Sequence, residues 1–236
     1  MKICPMGRDL TLFRCVHFGP IGPSNIEEIP PDISGVPKEQ FERNKKFLGR
    51  MIDAYGSCAM LAIDGDRVVA HARFYPQTIC DRQLFCCQDP QHAVTQEMVE
   101  MDIPTLENPA DRILRIDCFI VHKDYRGQGL SHALLDGVLE WARAHDWNAV
   151  RAWASPDNYW LASQTCVPML RTYTKHGFQK VKTFPPSEFP SSLVRELLTD
   201  IREGKFGPER KKEFEEFCGG QDLSEVAVLH EVERRL

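Results

Sequence analysis

The 236-residue chain carries 29 Lys and Arg against 34 Asp and Glu, a formal charge of −5, and is 42% hydrophobic. That suffices for one sizeable core plus additional material, while the acidic balance and the lack of a Lys/Arg-rich block exclude general nucleic-acid binding. No run approaches the roughly 18 apolar residues needed to cross a bilayer, and the first residues lack the apolar segment of a secretory leader, so the expectation is a soluble, cytoplasmic protein with no membrane partner.

In chain order, Leu10 to Phe18 reads as a first strand, followed by a Pro/Gly-rich connection to Pro37. Lys38 to Tyr55 has the helical period, with Phe41, Phe47, Leu48, Met51, Ile52 and Tyr55 on its apolar stripe. Ser57–Ile63 and Arg67–Tyr75 form a hairpin around Asp64-Gly65, a dipeptide suited to positive φ. Pro76 to Asp111 is a long, acid-rich insertion, and loops of that length are usually functional or lack order. Ile113 to Val121 is a strand. An amphipathic helix starts at Leu130, with Leu134, Val138, Trp141 and Ala142 on one face, and a strand follows at Ala149–Ala154. In Val167 to Phe178, Pro168 suits the first turn of a helix and Gly177 its end. Gln179 to Phe184 is the last strand expected.

Pro185 to Pro190 then reads as a stiff linker, dividing a domain at 1–184 from a C-terminal extension at 185–236. Helical patterns occupy Ser191–Glu203, Pro208–Cys218 and Leu223–Arg235. In the last, Leu223, Val226, Leu229 and Val232 make a stripe that needs a partner surface, on its own domain or in a homodimer built through these helices.

Nine cysteines, odd in number and without a CxxC pair, indicate neither a disulfide framework nor a zinc ribbon. The one local cluster, Cys80, Cys86, Cys87 and His92, does not have standard zinc spacing. No metal is expected; reduced, partly buried thiols are.

The richest stretch runs from Ile113 through the helix that begins at Leu130. A strand leads into His122-Lys123-Asp124-Tyr125-Arg126-Gly127-Gln128-Gly129-Leu130-Ser131 and then a helix. The first amides of a helix are unsatisfied donors at the positive end of its dipole, which suits an anion. Glycines let a phosphate approach the backbone. A nucleoside-triphosphate loop would need Lys-Ser or Lys-Thr after the glycines. A dinucleotide loop would need a third small residue where His132 stands. The pattern that fits is [RQ]xxGx[GAS], as Arg126, Gly129 and Ser131, preceded by Val121 and Tyr125. Here the chain resembles the GNAT superfamily of acyl-CoA-dependent N-acyltransferases. The segment Leu170-Arg171-Thr172-Tyr173-Thr174-Lys175-His176-Gly177-Phe178 is similar to that family's closing L-Y-x-K-x-G-F pattern.

The resemblance implies a mixed, twisted sheet flanked by helices, an α/β (α+β) fold with a helical C-terminal extension. It implies acetyl-CoA as co-substrate, its pyrophosphate on the amides of Arg126, Gly127, Gln128, Gly129, Leu130 and Ser131. Pantetheine would lie along Phe119, Ile120 and Val121, with Gln164 standing in for the asparagine that often opens the closing helix, a place taken here by Cys166. It implies Tyr173 as the acid that protonates the departing thiolate. Asp117 interrupts an apolar strand on a face expected to hold Arg115, Phe119 and Val121. It reads equally as a base for the amine or as a structural partner of Arg115, with Glu97, Glu100 and His122 as other bases. The acceptor expected first is a small-molecule primary amine, and a protein amine second. A non-catalytic acyl-CoA sensor is the alternative.

Overall fold

The computed structural model describes residues 1–12, 15–16, 19–26, 38–81, 94–165, 167–188, 192–222 and 226–236. Among these are seven strands, in a mixed sheet flanked by helices, the class expected. The chain divides into two compact units, Met1–Arg151 with Arg235–Leu236, and Ala152–Arg234.

In the first unit β1 (Lys2–Pro5), β2 (Ala59–Asp64), β3 (Arg67–Pro76) and β4 (Ile113–Val121) stand in that order, each antiparallel to the next. The hairpin between β2 and β3 turns at Gly65, whose φ of +60° few side chains tolerate. Helix α1 (Lys38–Tyr55) has the predicted bounds and covers one face of the sheet. Its Phe47 ring meets Tyr75 at 5.9 Å, and Cys58 Sγ lies 3.7 Å from the Leu48 carbonyl. Helix α4 (Leu130–Ala144) covers the other face, with Trp141 against Phe74 at 4.8 Å. Gly137 is where α4 comes closest: a Cβ there would stand 2.9 Å from Ile3 and 3.1 Å from Met60.

The first strand differs from expectation. The described part of Leu10–Phe18 belongs to no strand; Arg8–Leu10 is a 3-10 turn and the pairing strand is Lys2–Pro5. Phe13, Arg14, His17 and Phe18 lie outside the described residues. Backbone groups of this segment are taken up by side chains instead: Arg73 donates to the Leu12 carbonyl, and the Leu12 amide lies 3.2 Å from Met6 sulfur.

The insertion is built rather than loose where it is described. Gln77–Cys80 is a short helix, α2, and Gln96–Glu100 is another, α3, capped by Thr95 accepting from the Met98 amide at 3.2 Å. Its second half runs beside α1. Arg43 donates to the Val94 carbonyl at 3.2 Å, Arg50 to the carbonyls of Val99 and Met101, and Tyr55 to Pro104 at 2.6 Å.

In the second unit, α5 (Tyr159–Thr165), α6 (Leu170–Thr174), β6 (Gln179–Phe184), α7 (Ser192–Arg202), α8 (Pro208–Cys218) and β7 (Leu229–Arg235) follow β5 (Ala149–Ala154), which spans the boundary. The closing helix is shorter than expected, and Pro168 precedes it: the Pro168 carbonyl accepts from the Ser155 amide at 3.0 Å. The last expected helix is corrected outright. Leu229–Arg235 is a strand antiparallel to β6, and Leu223 lies outside the described residues. Of the expected stripe, Leu229 joins Leu161, Leu198, Ile201, Phe214 and Ala227 in the unit's own core, and Val232 is buried.

Gly137→Val should lower the unfolding free energy by about 1–3 kcal/mol, the usual range for overpacking a filled contact. Urea unfolding of the two proteins measures it, and an unchanged midpoint would refute the contact.

A second test concerns Cys58. Burial pushes its thiol up to about 12 from an ordinary 9.0, against a smaller opposing effect of Arg73. The unfolded chain therefore sheds this proton first as pH rises. The stability held below pH 9.0 declines toward pH of about 12. Cys58→Ala should flatten that alkaline decline in melting temperature; parallel declines would contradict it.

Candidate functional site

The strand–turn–helix predicted from the glycine pattern is present. Strand β4 ends at Val121, a 3-10 turn spans Lys123–Tyr125, and α4 begins at Leu130 behind Gly129. Gly127 and Gly129 both adopt φ of +77°. A Cβ at either would meet nothing within 4 Å, so these glycines are required by backbone handedness and leave open space above the turn. Residues 126–129 are exposed, and Leu130 is buried as the first anchor of α4. The first amides of α4 have no intrahelical acceptor and carry the positive end of the dipole. This cradle fits a phosphorylated ligand.

Backbone bonding refines which groups are available. Tyr125 donates to the His122 carbonyl at 2.9 Å, and Arg126 donates to Lys123 at 3.3 Å. The Arg126 amide is thus already engaged, and its Nε lies 3.4 Å from the Val121 carbonyl. His132 and Ala133 both donate to the Gly129 carbonyl. The amides between, from Gly127 to Ser131, are the ones an anion would meet. Gln128 is exposed, its amide group 3.4 Å from the Asp124 carbonyl. His122 is buried, with Nδ1 3.4 Å from the Asp124 amide and 3.7 Å from its carboxylate.

Strand β4 contains a feature that alternation alone does not reveal. Arg73 stands opposite Cys118 and Phe74 opposite Ile116, so Asp117 is the extra residue of a β-bulge. The bulge shifts the parity of the strand. Arg115, Cys118 and Ile120 share the α1 face with Tyr75, Arg73 and His71, while Ile116, Phe119 and Val121 share the α4 face with Phe74, Ala72 and Ala70. The expected common face of Arg115, Asp117, Phe119 and Val121 is therefore corrected: Phe119 and Val121 lie opposite Arg115.

Charge is concentrated at the bulge. Arg73 and Arg115 are both 3% exposed, and Arg115 donates to Gln77 Oε1 at 3.1 Å. Burial holds the Tyr75 hydroxyl and Cys80 thiol well above their ordinary values, and the Asp117 carboxylate adds to both shifts. Arg73 opposes the first and Arg115 the second. Asp117 thus sits in a buried polar group containing Arg73, Arg115, Tyr75 and Cys80. Sequence reasoning singled out only Asp117 and Arg115; Arg73 lies in the hairpin strand β3, and only the β3–β4 register brings it beside the bulge.

Tyr173, in the second unit, is 1% exposed, its ring edge-on to Phe178 at 5.2 Å. Gly177, at φ +77°, lets the chain reverse so that the Phe178 amide donates to the Tyr173 carbonyl at 3.2 Å. Gln164 belongs to α5, with its side chain outside the described residues, as is Cys166. Of the local cysteine cluster, Cys80 is buried on α2; Cys86, Cys87 and His92 lie outside the described residues. Glu97 and Glu100 are exposed on α3.

Comparison with known proteins agrees with this architecture. The Acetyltransferase (GNAT) family matches residues 26–178. Among curated proteins, none matches this sequence. A GNAT-family acetyltransferase from Streptococcus pneumoniae is 11% identical, with a TM-score of 0.50 over 100% of this chain and 98% of its own. An N-acetyltransferase from Staphylococcus aureus Mu50 is 12% identical, with a TM-score of 0.50 over 99% and 97%. At such identities the likeness is one of fold.

Proposed function

This chain belongs to the acetyltransferase (GNAT) family, and on that premise we propose that it moves an acetyl group from acetyl-CoA to a primary amine by direct attack in a ternary complex. The observation that carries the reading is the open glycine turn at the head of α4, with Gly127 and Gly129 at positive φ. The amides of Gly127, Gln128, Gly129, Leu130 and Ser131, with the side chain of Arg126, hold the pyrophosphate. The backbone of Phe119, Ile120 and Val121 lies along the pantetheine, Gln164 adds a further contact, and a β4 amide polarises the thioester carbonyl.

The residues then act as follows. Asp117 accepts a proton from the acceptor's ammonium, so that the neutral nitrogen can attack the carbonyl carbon. As the amide bond forms, the carbon–sulfur bond breaks and Tyr173 donates its hydroxyl proton to the departing thiolate; the second proton leaving the nitrogen restores that hydroxyl, and the proton on Asp117 passes to solvent. The acceptor is a small cationic amine, with a protein amine second. Exposed Glu97, Glu100, Asp102, Glu107 and Asp111 supply a negative rim that would steer it. No described helix is long and apolar enough to cross a membrane. Cys4, Cys58, Cys80 and Cys218 are thiols, in keeping with a reducing, cytoplasmic setting.

Calorimetric titration with acetyl-CoA should give micromolar binding, and Gly129→Ala should weaken it about tenfold or more, since an alanine at φ of +77° costs about 1–2 kcal/mol and reshapes the cradle. No binding by the parent protein would overturn the reading.

With an accepted amine, Tyr173→Phe should cut turnover about 10²-fold with acetyl-CoA affinity intact, and Asp117→Asn should move the acidic limb of the pH–rate profile. Unchanged turnover, or an unmoved limb, would remove the corresponding role. Free CoA is best read chromatographically, because the protein's own thiols react with thiol reagents. Tight acetyl-CoA binding without turnover across a broad amine panel would favour an acyl-CoA sensor.

A further inference from the structure

One group of side chains in the first unit is used by none of this chemistry. Cys15, His71 and Cys118 bring two sulfurs and one imidazole nitrogen within 4.8 Å of one another. They come from three separate parts of the chain: the segment after the Arg8–Leu10 turn, β3 and β4. His71 is 0% and Cys15 1% exposed, and neither Cys15 nor Cys118 is in a disulfide. We propose that Cys15, His71 and Cys118 form a zinc site that fastens the N-terminal segment to the sheet.

Geometry supports this first. Zinc takes sulfur at roughly 2.3 Å and imidazole nitrogen at roughly 2.0–2.1 Å in a tetrahedral array, so two such donors stand roughly 3.6 Å apart. Cys118 Sγ and His71 Nε2 are 3.6 Å apart. The β3–β4 register sets Cys118 on the face of His71, diagonal to it across the ladder.

The chemistry of the donors agrees. Two thiols and a neutral imidazole are a borderline-soft set that prefers zinc over calcium or magnesium. Binding releases one proton from each thiol to solvent, leaving two thiolates whose charge matches the dication. His71 binds through Nε2 and keeps its proton on Nδ1. Three protein donors leave one vertex for a small ligand. The three residues are too far apart in sequence to make a metal signature, which is why the cysteine spacing gave no hint of them. The proposal is independent of the acyl-transfer reading.

The test is metal analysis of the full-length protein, purified in a non-chelating reductant and without a metal-affinity step. About one zinc per chain is expected, and cobalt substitution should produce thiolate-to-metal charge-transfer absorption. Cys15→Ser, on a segment outside the strands, and His71→Gln should each lower zinc to less than about a tenth per chain and abolish that absorption. Cys218→Ser, in the second unit, should retain both. Circular dichroism identifies a variant that has lost its fold, and Cys15→Ser alone then decides. Parent protein with no zinc and no cobalt absorption would overturn the proposal. So would stoichiometric zinc persisting in the folded Cys15→Ser variant.

Discussion

One extra residue in β4 sorts the first unit into its two faces. With Asp117 as the extra residue of the bulge, the strand on one side of it is offset by one position from the strand on the other. A one-residue shift in a strand exchanges its faces. Arg115 and Cys118, three apart, thereby point the same way, and Phe119 joins Ile116 under α4. Without the bulge, either Cys118 would be driven into the apolar layer beneath Trp141 or Arg115 would be. Placing both polar residues on the α1 side keeps the α4 side apolar and lets the helix sit close, with Gly137 between Ile3 and Met60. The position of the glycine turn follows, since it is fixed by where β4 ends and where α4 begins.

The α1 side is correspondingly rich in buried polar groups. Arg73, Arg115 and His71 are at most 3% exposed there. Such groups are tolerated only where partners compensate them. Arg73 reaches the Leu12 carbonyl and Arg115 reaches Gln77. Those acceptors belong to the segment after the Arg8–Leu10 turn and to the four-residue helix α2. The N-terminal segment and α2 are therefore held as much by what they do for the sheet's cations as by their own apolar residues, of which Leu12 and Ile79 are both fully buried.

Much of this was legible in the sequence, and the failures have physical causes. The helix at Lys38–Tyr55, the strands Ile113–Val121, Ala149–Ala154 and Gln179–Phe184, and the helix at Pro208–Cys218 have the bounds expected. In each, either a strong period or a clear glycine or proline boundary settles the element. Leu229–Arg235 failed because a three-residue spacing such as Leu229 to Val232 fits a helix, and only the pairing with β6 makes it a strand. The first strand was misplaced because Lys2–Pro5, four residues long, gives too little period to recognise, whereas Leu10, Leu12 and Val16 look like a strand but belong to none. The glycine turn was readable because handedness restricts its residue types; the polar group around Asp117 was not, because a bulge leaves no mark in the pattern of apolar residues.

The two glycines of the turn have a further consequence, which concerns chirality. At φ of +77° each sits where the mirror image of an ordinary helical residue would be most at ease. Open space surrounds both positions. A D-alanine introduced there by chemical ligation would keep the native path, and it would narrow the unfolded chain's choices as alanine does at an ordinary helical site. The same methyl group in its L form would oppose that path. The turn thus sets two left-handed residues between a right-twisted strand and a right-handed helix, a local reversal of hand that only glycine among the L-coded residues takes up at little cost.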